Sequence, residues 1–319
     1  MESSRYLALS IVIPTPGRVE SLRAVLAGLA ARPTNEIYEV VVVDNASEPP
    51  VTEDALRTPG IRSLRLLREP QKGKCFALNR ALDEGGLGEI VAVVDDDMSP
   101  PEGWIDLVMN ATRRLPQYEI FSGKSHVVWP TGVPKPAWAE EPLAQGLLFS
   151  VFDTRSDTDV EFGVRCPRFP SGNHFWFRRT LTDAGARFPV VWCTEAYFVV
   201  RLGAVGHRGV FVPEVRIGHR IQPELVDARK FLERAHKIGR EMAVLDVGLT
   251  KHKPASPVAR LRGHLRPLRA FLELCGWTGA LCLAYLRSAR RRLPARAQAI
   301  WGIEYCRARL HPSLGGTAG

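Results

Sequence analysis

The sequence predicts an α/β fold with a mostly parallel central sheet flanked by helices, followed by a basic helical C-terminal region. Three observations carry this. Runs rich in Val and Ile alternate with helix-period patterns through the first hundred residues; they are apolar throughout, as strands are when both faces of their sheet are covered. Three of these runs end in chemically loaded segments, TPGR, DNAS and DDD, and ligands of such sheets collect at the carboxyl ends of strands. The charge is also uneven. The 319 residues carry 43 Lys and Arg against 34 Asp and Glu, a formal +9. From Lys251 onward 13 basic residues face only Glu273 and Glu304, so the tail holds +11 and the first 250 residues −2.

The elements follow in order. Leu7 to Pro14 reads as a buried strand, Glu20 to Ala31 as a helix, Tyr38 to Ser47 as a second strand and Ile61 to Glu69 as a third. Gly73 to Gly85 is a helix and Glu89 to Asp97 a fourth strand. The PPEGW segment then starts a helix to about Leu115, with Pro101 and Glu102 suited to a first turn. Trp129 to Asp159 carries Pro and Trp with little periodicity and reads as a long surface excursion or lid. Order resumes at FPSGNHFWFRR, Phe169 to Arg179. Lys251 to Pro257 reads as a linker. Leu268 to Leu286 is apolar but contains Arg269 and Glu273. Its charge-free part falls short of the roughly 20 residues that a spanning helix needs. Flanked by Arg287, Arg290, Arg291, Arg292 and Arg296, it reads either as a helix lying in an anionic membrane surface or as one packed on the core with a solvated basic flank.

Composition excludes several classes. With 45% hydrophobic and 24% charged residues the chain is neither disordered nor fibrous. The six cysteines are scattered without a C-x-x-C pair, which points to a reducing cytosol and away from a disulfide scaffold or a structural zinc site. The N-terminus reads as a strand and not as a signal peptide. Because the basicity sits in the tail, no nucleic-acid partner is expected. Pro14 to Arg18 has neither the G-x-G-x-x-G nor the Walker spacing, which disfavours hydride transfer and ATP hydrolysis.

The acidic strand end is the strongest chemical signal. Asp95, Asp96 and Asp97 follow four apolar residues, and so many like charges together are tolerable when a divalent cation neutralises them. A Mg²⁺ or Mn²⁺ site presenting a diphosphate is the expectation, and an acidic solvated turn the alternative. Asp44 and Asn45 end another strand, where an acid accepts from a ribose hydroxyl or a base N–H, or caps the following turn. Lys72 and Lys74 flank Gly73 at a helix N-terminus that itself favours phosphate.

In their order along the chain, SIVIPTPGR, VVVDNAS, the Gly73-to-Asn79 helix start, VVDDDMSPPEGW, SGNHFWFRR and TEAYFVVRLGAVGHRGVFVPEVRIGH resemble the motifs of family 2 glycosyltransferases. The likeness runs from about Ser10 to His219. It implies a GT-A type nucleotide-sugar-binding fold, in residues 1–250 with a nucleotide-binding half at 1–115 and an acceptor-binding half at 116–250, ahead of a basic helical extension at 251–319. The implied reaction moves a sugar from a nucleotide-diphosphate donor, a UDP-sugar favoured, with inversion at the anomeric carbon. Its acceptor would be the hydroxyl of a glycan, a lipid-linked saccharide or a small molecule.

Carried over by motif, the resemblance places Pro14, Thr15, Arg18, Asp44 and Asn45 around the nucleoside, with Lys74 and Asn79 nearby. Asp95 and Asp96 correspond to ribose and metal contacts, and Asp97 to the last acid of the D-x-D motif. His219 matches a histidine that reaches the metal or diphosphate, so the implied metal set is Asp96, Asp97 and His219. Ser171, Gly172 and Asn173, with Trp192, fall on the acceptor side. Glu195 takes the position of the family's catalytic Asp, but Thr194 stands where the preceding acid is usual. An inverting displacement independently requires a carboxylate base opposite the leaving diphosphate. Glu195 also has apolar neighbours in Val190, Val191, Trp192, Ala196, Tyr197 and Phe198, where desolvation would raise its pKa. Trp129, Trp138, Trp176 and Trp192 offer stacking platforms or core packing. A nucleotidyltransferase of sugar phosphates and a non-catalytic protein binding anionic ligands or membranes remain as alternatives. The expected location is cytoplasmic, peripheral to the inner membrane face if the tail binds lipid.

Overall fold

The structure is a computed structural model that describes residues 7–147, 149–151, 158–162, 174–191, 194–251, 266–284 and 289–310. Its contacts divide the chain into two units, Met1–Val128 with Val151–Arg220, and Trp129–Ser150 with Ile221–Gly319.

The first unit holds the sheet. Strands β1 (Leu9–Thr15), β2 (Tyr38–Asn45), β3 (Leu64–Glu69) and β4 (Ile90–Val94) are parallel and lie in the order β3-β2-β1-β4. Helices α1 (Val19–Ala30), α2 (Glu53–Leu56) and α3 (Lys74–Glu84) connect them. Both faces are covered, and the alternation of the strand fixes which residue faces which layer. Ile11, Ile13, Val40 and Val42 share a cluster with Leu22, Val25 and Leu26 of α1. Val12, Val41 and Val43 share another with Ala77 and Leu78 of α3. The continuous apolar runs of the sequence follow from this two-sided burial.

Beyond β4 come β5 (Met98–Ser99), α4 (Trp104–Arg114) and β6 (Ile120–Val128). Helix α4 starts at Trp104 and not at Pro101 as the sequence predicts, because Gly103 sits at φ +76°, outside the right-handed helical region. The unit continues with β7 (Val160–Phe162), β8 (His174–Arg178), α6 (Thr180–Asp183), α7 (Thr194–Ala204) and β9 (Gly209–Arg220); α5 (Pro142–Leu147), between β6 and β7, belongs to the second unit. Here the sheet becomes mixed. β8 lies antiparallel between β4 and β6, β9 runs parallel to β6, and β5 and β7 pair antiparallel with β9.

One irregularity in this half positions the site. Gly123 of β6 lies opposite Val212, but the next residue, Lys124, lies opposite Arg216. Pro213, Glu214 and Val215 bulge out of the ladder, a place where a strand accepts proline. A Cβ on Gly123 would stand 2.0 Å from the Val215 carbonyl oxygen, so only glycine admits this approach. The bulge delivers the end of β9 to β5, with His219 opposite Met98.

The second unit is helical. It contains α5 (Pro142–Leu147), α8 (Ala228–Lys251), α9 (Arg266–Ala284) and α10 (Ala289–Leu310). The predicted surface excursion or lid at Trp129 to Asp159, of which 148 and 152–157 lie outside the described residues, is anchored by an aromatic cluster in its first part. Ala139, Ala144 and Phe149 are buried, and Trp138 stacks between Phe149 and Phe231 of α8, at 6.4 and 5.5 Å. Their packing is aromatic and non-local, so it leaves no periodic trace in the segment itself. Close approach of α10 rests on glycines: a Cβ on Gly302 would meet the Trp277 ring at 2.2 Å, and one on Gly239 the Trp301 carbonyl at 2.4 Å. Residues 221–250, which composition groups with the first part of the chain, pack in this unit through α8 against α10. The predicted linker at 251–257 lies, from residue 252, outside the described residues.

Candidate active site

Parallel strands bring their carboxyl ends to one edge of the sheet, and β1 and β4 are neighbours there. The end of β1 therefore meets the three carboxylates after β4. Thr15, fully buried, donates its hydroxyl to Asp96 Oδ2 at 2.6 Å. The same hydroxyl oxygen accepts the N–H groups of Gly17 and Arg18 at 3.2 Å, which shapes the turn into α1. Arg18 then folds back onto the acids. Its Nε donates to Asp96 Oδ2 at 3.1 Å, its Nη2 pairs with Asp96 Oδ1, and its Nη1 reaches Asp97 Oδ2 at 3.2 Å. Against burial, which opposes it, Asp96 and Asp97 hold the guanidinium above its ordinary pKa.

Asp96 is an anchor in this arrangement, with both oxygens already accepting hydrogen bonds. Its carbonyl is held too, by Ser21 Oγ at 2.8 Å and Arg220 Nη2 at 3.1 Å. The sequence reading missed Ser21 and Arg220. Arg220 follows His219 directly, and that adjacency to a candidate ligand was the available signal. Its Nη2 also donates to the Ser21 carbonyl at 2.6 Å, and its N–H to the Asp97 carbonyl at 2.8 Å. Ends of α1, β4 and β9 are thus tied together through two residues.

Asp97 has different surroundings. Its Oδ1 is buried and accepts no hydrogen bond, while His219 Nε2 lies 3.6 Å away. Although burial pushes the other way, the His219 ring, Arg18 and Lys74 hold the Asp97 carboxyl down at about 2. A hard anionic oxygen beside an imidazole nitrogen fits Mg²⁺ or Mn²⁺. Among the described residues no three His, Cys, Asp or Glu side chains converge on one point. A magnesium-type site needs none, since one or two protein carboxylates with substrate phosphates complete it.

Lys74, the first residue of α3, reaches both Asp95 Oδ1 and Glu195 Oε1. Glu195 sits in the first turn of α7 with 6% of its surface exposed. Of the apolar flanks that the sequence predicts, Phe198 is buried but Val190 is 58% exposed, and the carboxylate itself meets an ammonium. Against burial, Asp95 and Glu195 raise the Lys74 pKa. Burial pushes the Asp95 carboxyl up to about 7; Lys74 pulls it down, and repulsion by Asp97 and Glu195 adds to the rise. The tertiary structure therefore makes two polar clusters, Thr15, Arg18, Asp96, Asp97 and His219 in one and Lys74, Asp95 and Glu195 in the other, which adjoin at the consecutive residues Asp95 and Asp96.

Other predicted residues serve as struts. Asp44 accepts from the Ser47 hydroxyl and N–H and, through Oδ2, from the Val51 N–H at 3.1 Å. Asn45 accepts the Gly73 N–H at 2.8 Å and donates to the Gln71 carbonyl at 2.8 Å, which sets the start of α3 and so the root of Lys74. Asn79 makes a two-bond clasp with the Phe188 backbone, at 2.8 and 2.9 Å. Asn79→Ala is expected to cost about 1–3 kcal/mol in urea unfolding, the penalty for orphaned buried backbone groups; an unchanged midpoint would contradict the clasp. Pro14 is buried opposite Val43. Trp176 is core, stacked on Phe121 at 5.7 Å with its Nε1 donating to Thr112 at 3.0 Å, and is no sugar platform. Trp129 and Trp138 pack with Phe149 in the second unit. Ser171, Gly172, Asn173 and Trp192 lie outside the described residues.

This sheet, parallel in its first half and mixed in its second, has the GT-A type of fold. Residues 10–125 match the model of glycosyl transferase family 2. A chondroitin synthase of Escherichia coli is 32% identical over 103 residues, which is 32% of this chain and 15% of that protein. The chain spans only 12–15% of the length of the curated relatives it matches. Among solved structures, a mannosyltransferase from Pyrobaculum calidifontis, in complex with GDP-Man and Mn²⁺, superposes with a TM-score of 0.60 at 19% identity, over 97% of this chain and 88% of that one. S. aureus TarS 1–349 gives 0.53 at 16% identity, over 98% and 93%; its complex with UDP-GlcNAc gives 0.50 at 15% identity, over 98% and 93%.

Proposed function

We propose that the protein is an inverting transferase that moves a hexose-type sugar from a UDP-sugar to an acceptor hydroxyl on a glycan, a lipid-linked saccharide or a small molecule. One observation carries this reading: Lys74 joins Glu195, the candidate base, to the acidic end of β4. The candidate base and the acidic strand end therefore lie within reach of one ammonium. In the reaction the acceptor oxygen attacks the anomeric carbon while its proton passes to a Glu195 oxygen. The bond from that carbon to the diphosphate oxygen breaks, and its electron pair leaves with the nucleoside diphosphate. Arg18 and Lys74 contribute positive potential where that charge develops.

Asp97 and His219 would hold a Mg²⁺ or Mn²⁺ ion, with Asp96 fixed behind them by Thr15 and Arg18. When bound, the ion supplies positive charge that offsets the charge of the leaving diphosphate. Mn²⁺ and GDP-Man in the Pyrobaculum mannosyltransferase, and UDP-GlcNAc in TarS, support the pairing of a metal with a nucleotide sugar. Without a donor, Lys74 occupies Glu195; an arriving diphosphate competes for the ammonium and leaves the carboxylate available to the acceptor. We place the reaction in a reducing compartment, a reading supported by the thiol state of Cys75, Cys275 and Cys282.

The test is a thermal-shift panel of UDP, GDP, dTDP and CMP, each with and without Mn²⁺. One nucleoside diphosphate, expected to be UDP, should raise the melting temperature only with the metal. At a hundredfold excess over Kd the stabilisation is about 2.7 kcal/mol. Asp97→Asn should lose the metal-dependent part while keeping its own melting temperature. No shift with any nucleotide would refute the proposal.

A further inference from the structure

Helix α9 shows two opposite faces. Ala270 and Ala284 are buried and Trp277 packs on Trp301 of α10 at 6.4 Å, which defines the inner face. At 100° per residue, Leu272, Gly276, Gly279 and Leu283 fall on one line along the opposite side, with Cys275 and Cys282 at its margin. All six are exposed, and none carries a charge. Leu272 and Leu283, each 61% exposed, are two of the four large hydrophobic side chains exposed among the described residues. They lie three turns apart on the same line, about 17 Å along the helix.

We infer that this face of α9 docks the protein on an anionic membrane surface. The choice of occupant rests on charge. The segment from Lys251 onward carries +11, with Arg260, Arg262, Arg266 and Arg269 leading into the stripe and Arg287, Arg290, Arg291 and Arg292 following it. An apolar strip bounded by arginines at both ends matches a bilayer interface, where apolar side chains enter the acyl boundary and cations meet lipid phosphates. A second copy of the chain would bring two +11 segments together, and an acidic partner protein would leave the leucines without an apolar counterpart. No helix of the described residues is long and apolar enough to cross a membrane, so the mode is interfacial. The inference is independent of the proposed reaction, since it uses no residue of the candidate active site.

The experiment is co-sedimentation of the full chain with vesicles of pure phosphatidylcholine and of equimolar phosphatidylcholine and phosphatidylglycerol. Binding to the anionic vesicles is expected to exceed that to the neutral ones by about tenfold or more and to weaken as salt is raised. The double variant Leu272→Gln/Leu283→Gln changes only exposed positions and should keep the wild-type melting temperature. It should lose at least about tenfold in affinity for the anionic vesicles. Arg290→Gln/Arg291→Gln/Arg292→Gln should weaken the same binding while leaving the weak neutral-vesicle binding unchanged. Equal binding to both vesicle types, binding unaffected by the leucine substitutions, or no binding at all would each overturn the inference. A dimer in solution that the leucine variant converts to monomer, without vesicle binding, would assign the face to self-association instead.

Discussion

Replacing Glu195 with Gln is expected to lower kcat by a factor of about 10³, within the range that a positioned general base contributes, while nucleotide still binds. Glutamine keeps the size of the side chain, and its carbonyl oxygen can still accept from Lys74, so the contact between α3 and α7 is retained. What it removes is the capacity to take a proton from the acceptor hydroxyl. A drop in kcat with nearly unchanged donor KM is the pattern of an interaction made in the transition state alone. Release of nucleoside diphosphate from the donor identified by the thermal-shift panel measures the rate, and the same panel measures binding. Turnover within tenfold of wild type would remove Glu195 from the role of base, and loss of nucleotide binding would make it a structural residue instead.

Acid should weaken the fold through a residue outside the polar clusters of the candidate site. His174, the first residue of β8, is fully buried opposite Val94. Burial pushes its ring down to about 3, against the pull of the Val215 backbone, whereas an unfolded histidine titrates near 6.5. Between those values the unfolded chain binds the extra proton, so unfolding becomes easier as pH falls. The contribution is fully present above about pH 6.5. It is lost progressively toward pH 3 and amounts to about 3 kcal/mol by pH 4. Urea titrations at pH 7 and pH 4 on wild type and His174→Leu separate this term from that of the carboxylates. The variant should lose less stability over the interval by about that amount, and parallel losses in the two proteins would contradict the assignment.

The parallel half was legible because its signals are local. Burial on both faces makes Val40 to Val43 and Ile90 to Val94 continuously apolar, and the sheet's chemistry sits where those runs stop. Asp95, Asp96 and Asp97 could therefore be picked out by position, and Lys74 by its place at a helix start. Their division of labour was not legible. Asp96 is an anchor and Asp97 has the orphaned oxygen, yet the two are adjacent and identical in type. The difference comes from Thr15 and Arg18 on one side and His219 on the other. The aromatic anchoring of the segment at 129–150 was not legible for the same kind of reason. Trp138 is held between Phe149 and Phe231, one of which lies far along the chain, and such packing imposes no period on the residues around it.

Asn79 illustrates the limit of motif position. Its place in the helix start resembles a donor-site residue, while its amide spans the gap to the Phe188 backbone. Which of its neighbours an amide engages is decided by how α3 lies against the loop before α7, and residue spacing does not encode that.

By itself the sequence determined the α/β class, the order of strands through β4, the acidic strand end and the concentration of positive charge in the tail. Each of these depends on neighbours close in the chain or on composition. Only the tertiary structure decided that Lys74 joins Glu195 to Asp95, that Arg220 ties α1 to β4, and that one face of α9 stays uncovered. The Gly123 bulge shows why: by letting Val215 bulge toward β6, it changes the register between β6 and β9 and sets His219 beside Asp97. Register between distant strands is a property of packing across the whole sheet, and no local pattern specifies it.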